Sequence, residues 1–403
     1  MSTVRPSRCR LAACLAVLAL TAALACAHEP TTPAGFHGFS LVHAFRDDAA
    51  GRDGHSPLGG LVALPDGSLM GTTYGGGPSD AGMLFRIGPD GHETVLHDFV
   101  TAVDGLGSQT RPTLGRDGRV YGVIPNGGPN SGGTLYRVEA DGSGFTILHA
   151  FSCCDGTPFA PISPVVPASD GNFYGTTLAG GPGNAGGVYR MTPDGVVTHL
   201  ALFGLVADGG SQSLGLTEGA DGSFYGTMVF GGAGGNGTVY RMQPDGTIRT
   251  LHAFTGDEGV NPNASLLPVD DGAFLGTAGS GGPGGKGTVF RITAAGRTTV
   301  VHAFDETPGQ PQAPRGLVRT PEGRIAGTSL FGGIAGAGTV YELRTEGRVA
   351  VTHSFHGFRA GSFPIMDRLA VGTDGFLYGT CNQGGREEQP GDGGMGTVFR
   401  VAP

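Results

Sequence analysis

The heptapeptide Asp-Gly-Ser-Phe-Tyr-Gly-Thr occupies residues 221–227, and Gly-Asn-Gly-Thr-Val-Tyr-Arg follows it at residues 235–241. Close variants of both segments recur roughly every 50 residues, a period typical of solenoids and propellers. The glycine of the Tyr-Gly-Thr-like run has seven copies: Gly71, Gly122, Gly175, Gly226, Gly276, Gly327 and Gly379. The 403-residue chain is therefore built from seven related units.

A second marker keeps step with the first. It is the phenylalanine that closes runs like Leu-His-Ala-Phe, and its copies are Phe45, Phe99, Phe151, Phe203, Phe254, Phe304 and Phe355. Because the two markers alternate in the same order throughout, the 78 Gly and 27 Pro belong to a repeat rather than to a disordered segment.

Each unit predicts four short antiparallel strands. In the fourth unit we expect them at residues 213–216, 224–229, 237–242 and 248–254, which are rich in β-branched and aromatic residues. Asp-Gly pairs such as Asp221-Gly222 separate the strands, since glycine supplies the positive φ of a tight hairpin. We interpret these carboxylates as turn residues. A four-stranded meander with no helical segment is typical of a β-propeller blade.

The two ends of the repeat region complement each other. The last unit stops at residues 396–401 without a fourth strand, while a surplus fourth strand at residues 40–45 precedes the first unit. Pairing the two would remove exposed sheet edges that invite aggregation. The sequence therefore predicts an all-β fold at residues 39–403: a seven-bladed β-propeller of four-stranded antiparallel blades, closed by the N-terminal strand.

The repeated motifs resemble the tandem "GloVer" repeats of bacterial secreted and surface-anchored proteins. The resemblance rests on residues 221–227 and 235–241, together with Phe-Thr-Gly-Asp-Glu-Gly-Val-Asn-Pro at residues 254–262, and extends from about residue 41 to the C-terminus. It implies an exported repeat protein, anchored differently from member to member, and assigns no activity. The chain departs from the family by carrying His where Tyr often precedes the terminal Phe.

The N-terminus has the features of an export signal. Three arginines precede an apolar run at residues 11–25, which predicts a signal peptide at residues 1–25 and a linker at residues 26–38. Cleavage before Cys26 would leave that cysteine lipidated, whereas ordinary cleavage would follow Ala25 or Ala27. The mature protein is expected to be lipid-anchored to the outer membrane, periplasmic or extracellular. The formal net charge of −9 disfavours nucleic acid as a partner.

Slots that are filled alike in all units are interpreted as architectural. This applies to the histidines two residues before the terminal phenylalanine: His43, His97, His149, His252, His302 and His353. Each would lie on a different blade and pack beside its phenylalanine. Three cysteines remain in the repeat region. The adjacent pair Cys153 and Cys154 is a candidate vicinal disulfide or two free thiols, and Cys381 is expected to be too far away to pair with either.

The candidate ligand residues lie on one face of the predicted propeller. Loops between the second and third strands share that face with the loops between blades. Their variable slot supplies the candidates Tyr74, Asn126, Phe230, Phe331 and Gln383. The loops between blades carry a loosely repeated acid: Asp48, Asp104, Asp155, Asp208, Asp257, Asp305 and Asp367. These acids are either turn residues or a ring that binds Ca²⁺ or a cationic ligand. No other cofactor is predicted, and the metal is unknown.

Two functional hypotheses remain open. The first is a monomeric, non-enzymatic binding or scaffold module with an unknown extracellular or periplasmic partner. The alternative is a propeller-based enzyme, such as a glycoside hydrolase, lyase or quinone-dependent dehydrogenase, with its site at the channel mouth. Two or three unlike polar groups from Asp104, Asp155, Asp208, Asp257 and their neighbours, brought together in one pocket, would favour the enzyme.

Overall fold

The computed structural model describes residues 38–46, 53–153, 155–204, 210–357, 360–364, 367–385 and 394–403. These residues form seven antiparallel sheets, which confirms the seven-bladed propeller. The predicted signal peptide, the linker as far as residue 37 and Cys26 lie outside the described residues. Within them, no helix has the length and apolar character needed to cross a membrane.

The strands of blades 1 to 3 follow one another along the chain. Blade 1 consists of β2 (Leu61–Ala63), β3 (Leu69–Thr72), β4 (Met83–Ile87) and β5 (Glu93–Asp98). Blade 2 consists of β6 (Thr113–Leu114), β7 (Val120–Ile124), β8 (Ser131–Val138) and β9 (Thr146–Ser152). Blade 3 has its first strand in two pieces and consists of β10 (Phe159–Pro161), β11 (Val166–Pro167), β12 (Phe173–Ala179), β13 (Gly187–Met191) and β14 (Val197–Leu202).

Blades 4 to 6 repeat the pattern. Blade 4 consists of β15 (Ser211–Glu218), β16 (Phe224–Phe230), β17 (Thr238–Met242) and β18 (Ile248–Ala253). Blade 5 consists of β19 (Val260–Pro262) and β20 (Leu267–Pro268), which share the first position, then β21 (Phe274–Ser280), β22 (Thr288–Ile292) and β23 (Thr298–Ala303). Blade 6 consists of β24 (Pro311–Arg319), β25 (Ile325–Gly332), β26 (Thr339–Leu343) and β27 (Val349–Ser354). Two 3-10 turns, Pro182–Asn184 and Thr345–Gly347, complete the elements.

Blade 7 joins the two ends of the repeat region. It consists of β28 (Ala370–Val371), β29 (Leu377–Cys381), β30 (Thr397–Val401) and the N-terminal β1 (Phe39–Ala44). The register pairs Phe39 with Val401 and Ala44 with Thr397. The predicted closure is therefore confirmed, with the strand shifted by one residue from the expected bounds of 40–45.

The glycine of the Tyr-Gly-Thr-like run is required by packing rather than by a turn. Gly226 lies opposite Tyr240 on the next strand, and a Cβ added to Gly226 would overlap the Tyr240 ring. The same relation holds for Gly122 with Tyr136. Because the ring lies directly over the missing side chain, the glycine lets a large aromatic residue be fully buried inside the blade.

The Asp-Gly turns have the structural role expected of them. The hydroxyl of Tyr225 donates to Asp221 Oδ2 at 2.9 Å, and the backbone N–H of Ser223 donates to the other oxygen of that carboxylate at 3.1 Å. Equivalent Tyr–Asp bonds of 2.7–2.8 Å occur in blades 2, 3 and 7. Partial burial, with the Asp221 hydrogen bond, raises the pKa of Tyr225 to about 12. These carboxylates therefore fix hairpins.

The repeated histidines also pack as expected. Each of the six lies edge-on to the phenylalanine two residues later, with ring centroids 4.5–5.7 Å apart. Several have local polar partners as well: His97 Nε2 lies 3.0 Å from Asp104 Oδ2, and the carbonyl of Gly347 lies 2.9 Å from His302 Nδ1. The architectural interpretation of this series accounts for these contacts.

Burial of one of these histidines predicts that acid destabilises the fold. Burial, followed by the charge of nearby His356, lowers the pKa of His353 to about 4, against about 6.5 in an unfolded chain. As the pH falls through this interval, His353 binds a proton in the unfolded state but not in the folded state. The free energy of unfolding therefore decreases. The pKa values of His149, His199, His252 and His302 are lowered in the same direction.

We therefore expect the urea midpoint to fall between about pH 7 and about pH 4.5. His353→Phe should weaken this pH dependence, because phenylalanine can keep the stacking on Phe39 (3.7 Å between ring centroids) and cannot be protonated. Equal pH dependence in the native protein and the variant, measured by urea unfolding, would contradict this expectation.

Candidate functional site

The predicted ligand residues are exposed on the loop face, defined as the loops between second and third strands plus the loops between blades. Tyr74, Phe230 and Phe331 are 37%, 46% and 47% exposed. Asn126 and Gln383 are also exposed, and their backbones form isolated bridges with Leu106 and Ser362. The five residues belong to five different blades, so they offer a distributed surface rather than one pocket.

Exposed apolar side chains concentrate on the same face. Ten large hydrophobic residues are exposed in the described part of the chain, and seven of them lie on or beside the loop face: Tyr74, Val100, Val103, Leu202, Phe230, Phe331 and Ile334. Scattered single residues of this kind need no explanation, whereas their concentration on one face marks a candidate contact surface.

Two acids of the blade-to-blade loops, Asp104 and Asp155, make local turn contacts. Asp104 accepts the Val100 N–H at 2.9 Å and pairs with His97, and its side chain is buried. Asp155 accepts the N–H and hydroxyl of Thr157 at 2.9 and 2.6 Å. The turn interpretation accounts for both. Asp257 lies in the loop between β18 and β19, and Asp208 lies outside the described residues, so the calcium ring stays a prediction.

Asp367 differs from the other acids of that series. Its carboxylate accepts the backbone N–H of Ser265 at 3.0 Å and lies 3.3 Å from the Ser265 hydroxyl, although Ser265 belongs to blade 5 and Asp367 to blade 7. Asp367 Oδ2 also lies 3.6 Å from Arg111 Nε of blade 2. Bonds between blades that are not neighbours require a position close to the ring axis. The first strands therefore line the channel, and Asp367 reaches into it.

The seven units can be aligned on the acidic residue of the turn between their first and second strands. This alignment identifies the positions that line the channel. Asp367 and Arg368 precede the turn acid Asp374 by seven and six residues. The first slot contains Gly59, Thr110, Ser163, Leu214, Ala264, Arg315 and Asp367. The second contains Gly60, Arg111, Pro164, Gly215, Ser265, Gly316 and Arg368. Only units 2, 6 and 7 therefore have charged residues at these positions, three arginines and one aspartate in all. This signal was present in the sequence and was missed.

The channel cluster, defined as Arg111, Arg315, Asp367 and Arg368, lies toward the loop face, since all four residues precede the turns on the opposite face. Packing around it is close: a Cβ added to Gly316 would overlap the Asp367 carbonyl. Arg111 and Asp367 still keep 13% and 14% of their side chains exposed, so solvent reaches them.

The electrostatics of the channel cluster are unbalanced. Burial, then the charge of Arg368, lowers the pKa of Arg111 to about 9, which leaves the guanidinium protonated at neutral pH. Burial also lowers the pKa of Arg315. The Nε atoms of Arg111 and Arg315 are buried without a hydrogen-bond partner. The channel slots thus carry three arginines and one carboxylate, and only Arg111 has a recorded ion pair with that carboxylate, in a protein that is acidic as a whole.

Cys381 provides no reactive thiol. Cys381 is a buried free thiol, and burial raises the pKa of the Cys381 thiol well above its usual range. A raised pKa keeps a thiol protonated and unreactive. Cys154 lies outside the described residues, so the vicinal disulfide stays a prediction.

The fold and the channel cluster define a protein of the seven-bladed β-propeller class, built from internal repeats with a cationic channel mouth. The model of the Gloeobacter/Verrucomicrobia repeat matches residues 108–313 and 269–403. The chain belongs to this repeat family, as its motifs predicted. No curated protein matches the chain.

Solved structures with the same fold have diverse descriptions. A streptogramin B lyase is 14% identical with a TM-score of 0.60, and the match covers 90% of this chain and 97% of that one. An inactive virginiamycin B lyase from Staphylococcus aureus, solved with quinupristin, is 16% identical with a TM-score of 0.57, covering 91% and 99%. The extracellular domain of a hybrid two component system from B. thetaiotaomicron is 13% identical with a TM-score of 0.60, covering 91% and 41%. Such identities show the fold alone.

Proposed function

We propose that the protein is an exported, non-catalytic binding module that holds an anionic group of its ligand at the channel mouth. The observation that carries the proposal is the excess of three arginines over one carboxylate in the channel slots. The apolar side chains exposed on the loop face would contact the remainder of the ligand. The N-terminal signal and the extracellular domains among proteins of the same fold support export, with Cys26 as the candidate lipid anchor.

The unmet hydrogen-bonding capacity of the arginines points to an oxyanion. A guanidinium has five N–H donors, and Asp367 divides its acceptor capacity between Arg111 and Ser265. A buried cation without a sufficient partner is costly, and removing that cost favours a bound counter-ion. Carboxylate and phosphate oxygens match the planar fork of arginine. The ligand class is therefore a carboxylate- or phosphate-bearing molecule.

The same chemistry disfavours the enzyme alternative. Three of the four charged groups in the channel cluster are arginines, which stay protonated at neutral pH and do not exchange protons in a reaction. The fourth, Asp367, is held by Ser265 and paired with Arg111. The cluster is better suited to holding charge than to transferring protons.

Anion binding can be tested with inorganic phosphate, citrate and trigalacturonate, with the neutral sugar maltotriose as control. At least one anion should raise the melting temperature and bind by calorimetry. Arg111→Gln should weaken binding by at least roughly tenfold, since one charge-assisted contact is lost. Arg116→Gln is the matched control, because Arg116 is an exposed arginine of the same unit outside the channel slots.

A second variant changes affinity in the opposite direction. Asp367→Asn removes the internal counter-ion while keeping an oxygen that can accept the Ser265 N–H, so it should tighten anion binding. This arm remains informative if Arg111→Gln folds poorly. Anion affinity that is unchanged or weaker in Asp367→Asn, or no response to any of the three anions, would refute the proposal.

The enzyme alternative has its own assay. The native protein can be incubated with quinupristin, the compound in the structure of the virginiamycin B lyase, and followed by chromatography. We expect no turnover. Turnover that Asp367→Asn abolishes would replace the binding proposal with an enzymatic one.

A further inference from the structure

A cluster of three ligand-type side chains lies where the ring closes. His43 is on β1 in blade 7, Asp53 is in the loop to blade 1, and Glu93 begins β5 in blade 1. One atom from each, the imidazole nitrogen and two carboxylate oxygens, lie within 4.8 Å of one another. Within the described ranges, this is the one group of at least three such side chains. We call it the seam triad.

Glu93 is an exception within the repeat. It stands six residues before its terminal phenylalanine, a slot that contains Phe39, Glu93, Phe145, Val197, Ile248, Thr298 and Val349. At two other junctions an aromatic ring from this slot covers the histidine of the preceding blade. Phe145 stacks on His97 and Phe39 stacks on His353, each with ring centroids 3.7 Å apart. At the seam, a carboxylate faces the histidine instead.

The carboxylate of Asp53 is already oriented toward His43. One oxygen accepts the backbone N–H of Arg46 at 2.7 Å, and the other lies 3.2 Å from His43 Nε2. Both side chains are largely buried, at 19% and 17% exposure. The hydrogen bond from Arg46 therefore orients the Asp53 carboxylate, with its other oxygen beside the imidazole.

The burial of the Glu93 carboxylate is only partly compensated. Its Oε1 atom is buried without a hydrogen-bond partner. Burial, together with the neighbouring Asp53 carboxylate and against the attraction of His43, raises the pKa of Glu93 to about 7. Two carboxylates at this separation repel each other unless a proton or a cation lies between them.

We propose that the seam triad binds one divalent transition-metal ion, Zn²⁺ in the first instance, which links the outermost strands of blades 7 and 1. One imidazole nitrogen and two carboxylate oxygens are a donor set that suits zinc and its first-row neighbours. Ca²⁺ and Mg²⁺ prefer oxygen ligands alone. A dication also neutralises the two carboxylates, and the ion would hold β1, the strand that closes the ring, against β5 of the next blade.

The test uses the mature chain freed of metal with a chelator. ZnCl₂ alone should bind at one ion per chain by calorimetry and raise the melting temperature by about 4 °C or more, with CaCl₂ and MgCl₂ as comparisons. Glu93→Gln should weaken zinc binding by at least roughly tenfold, because it removes an anionic ligand. His97→Gln is the matched control, because His97 has an acidic partner but a phenylalanine in the Glu93 slot; zinc binding should persist in it.

A second variant keeps the test informative if Glu93→Gln folds poorly. Glu93→Phe restores the aromatic side chain found at the equivalent junctions, so it should fold without metal and show no stabilisation by zinc. Zinc binding in Glu93→Gln or Glu93→Phe as tight as in the native chain would overturn the proposal, since the ion would then lie elsewhere. No stoichiometric binding of Zn²⁺, Mn²⁺ or Co²⁺ by the native chain would overturn it as well, leaving a shared proton between the carboxylates.

Discussion

A chain that begins at residue 53, without β1, should lose cooperative unfolding, whereas a chain that begins at residue 38 should keep it. β1 supplies the fourth strand of blade 7, and residues 38–46 contribute two well-packed aromatic side chains: Phe39 lies against Phe355 and Phe399, and Phe45, directly after β1, is fully buried against Phe85. Truncating one buried phenylalanine costs about 3–5 kcal/mol, and a domain has only about 5–15 kcal/mol in total. Thermal unfolding followed by circular dichroism measures the difference.

Moving β1 to the other end of the chain should restore the fold. The Ala402 N–H donates to the Gly38 carbonyl at 2.9 Å, so the ends of β30 and β1 are already adjacent. Residues 38–46 joined after Pro403 by a short glycine linker would complete blade 7 as a hairpin. A permuted chain that melts no higher than the truncated one would show that the strand contributes something other than pairing in blade 7.

Gly226→Ala should be among the most damaging single methyl additions. The added carbon would overlap Tyr240, which is fully buried and hydrogen-bonded to Ser213 at 2.8 Å. Overpacking typically costs about 1–3 kcal/mol, and we expect the upper end because the ring is held on all sides. Urea unfolding gives the difference in free energy.

A matched control at Gly235 separates the cost of steric overlap from the cost of an unfavourable backbone conformation. Gly235 has φ of 72°, and a Cβ added there meets nothing within 4 Å. Gly235→Ala should therefore cost only the strain of the left-handed conformation, about 1 kcal/mol. A double variant, Gly226→Ala with Tyr240→Val, should recover part of the loss by vacating the ring position. Equal costs for Gly226→Ala and Gly235→Ala would show that packing is not the reason for the Tyr-Gly motif.

The fold was predictable because its determinants are local and repeated. The turn at Asp221-Gly222 and the strand that starts at Phe224 recur in every unit, so seven copies reinforce one interpretation. The spare strand before the first unit revealed closure. Strand length was less predictable: β15 runs from Ser211 to Glu218 instead of 213–216, because an irregularity between Ser213 and Leu216 lets pairing continue to Phe230.

The candidate sites were predicted less well, because they depend on contacts across the ring. Asp367 was grouped with the turn acids by its position between blades, and only the coordinates place it beside Ser265 and Arg111. Residues that are the same in all units were interpreted as structural, and this comparison drew attention away from the positions where one unit differs. The candidate functional residues are at those positions. Glu93 at the seam and the arginines of the channel slots are such exceptions. Within a repeat protein, the deviating copy is therefore the residue to examine first.

The pairing of β1 with β30 also has a consequence for biosynthesis. β1 is synthesised before the other strands of the propeller and its partner β30 after them, so blade 7 cannot form until β30 has been synthesised. A product that lacks β30 keeps an unpaired edge on β1, and unpaired strand edges invite aggregation. The topology thus makes the stability of the closed ring depend on the synthesis of β30.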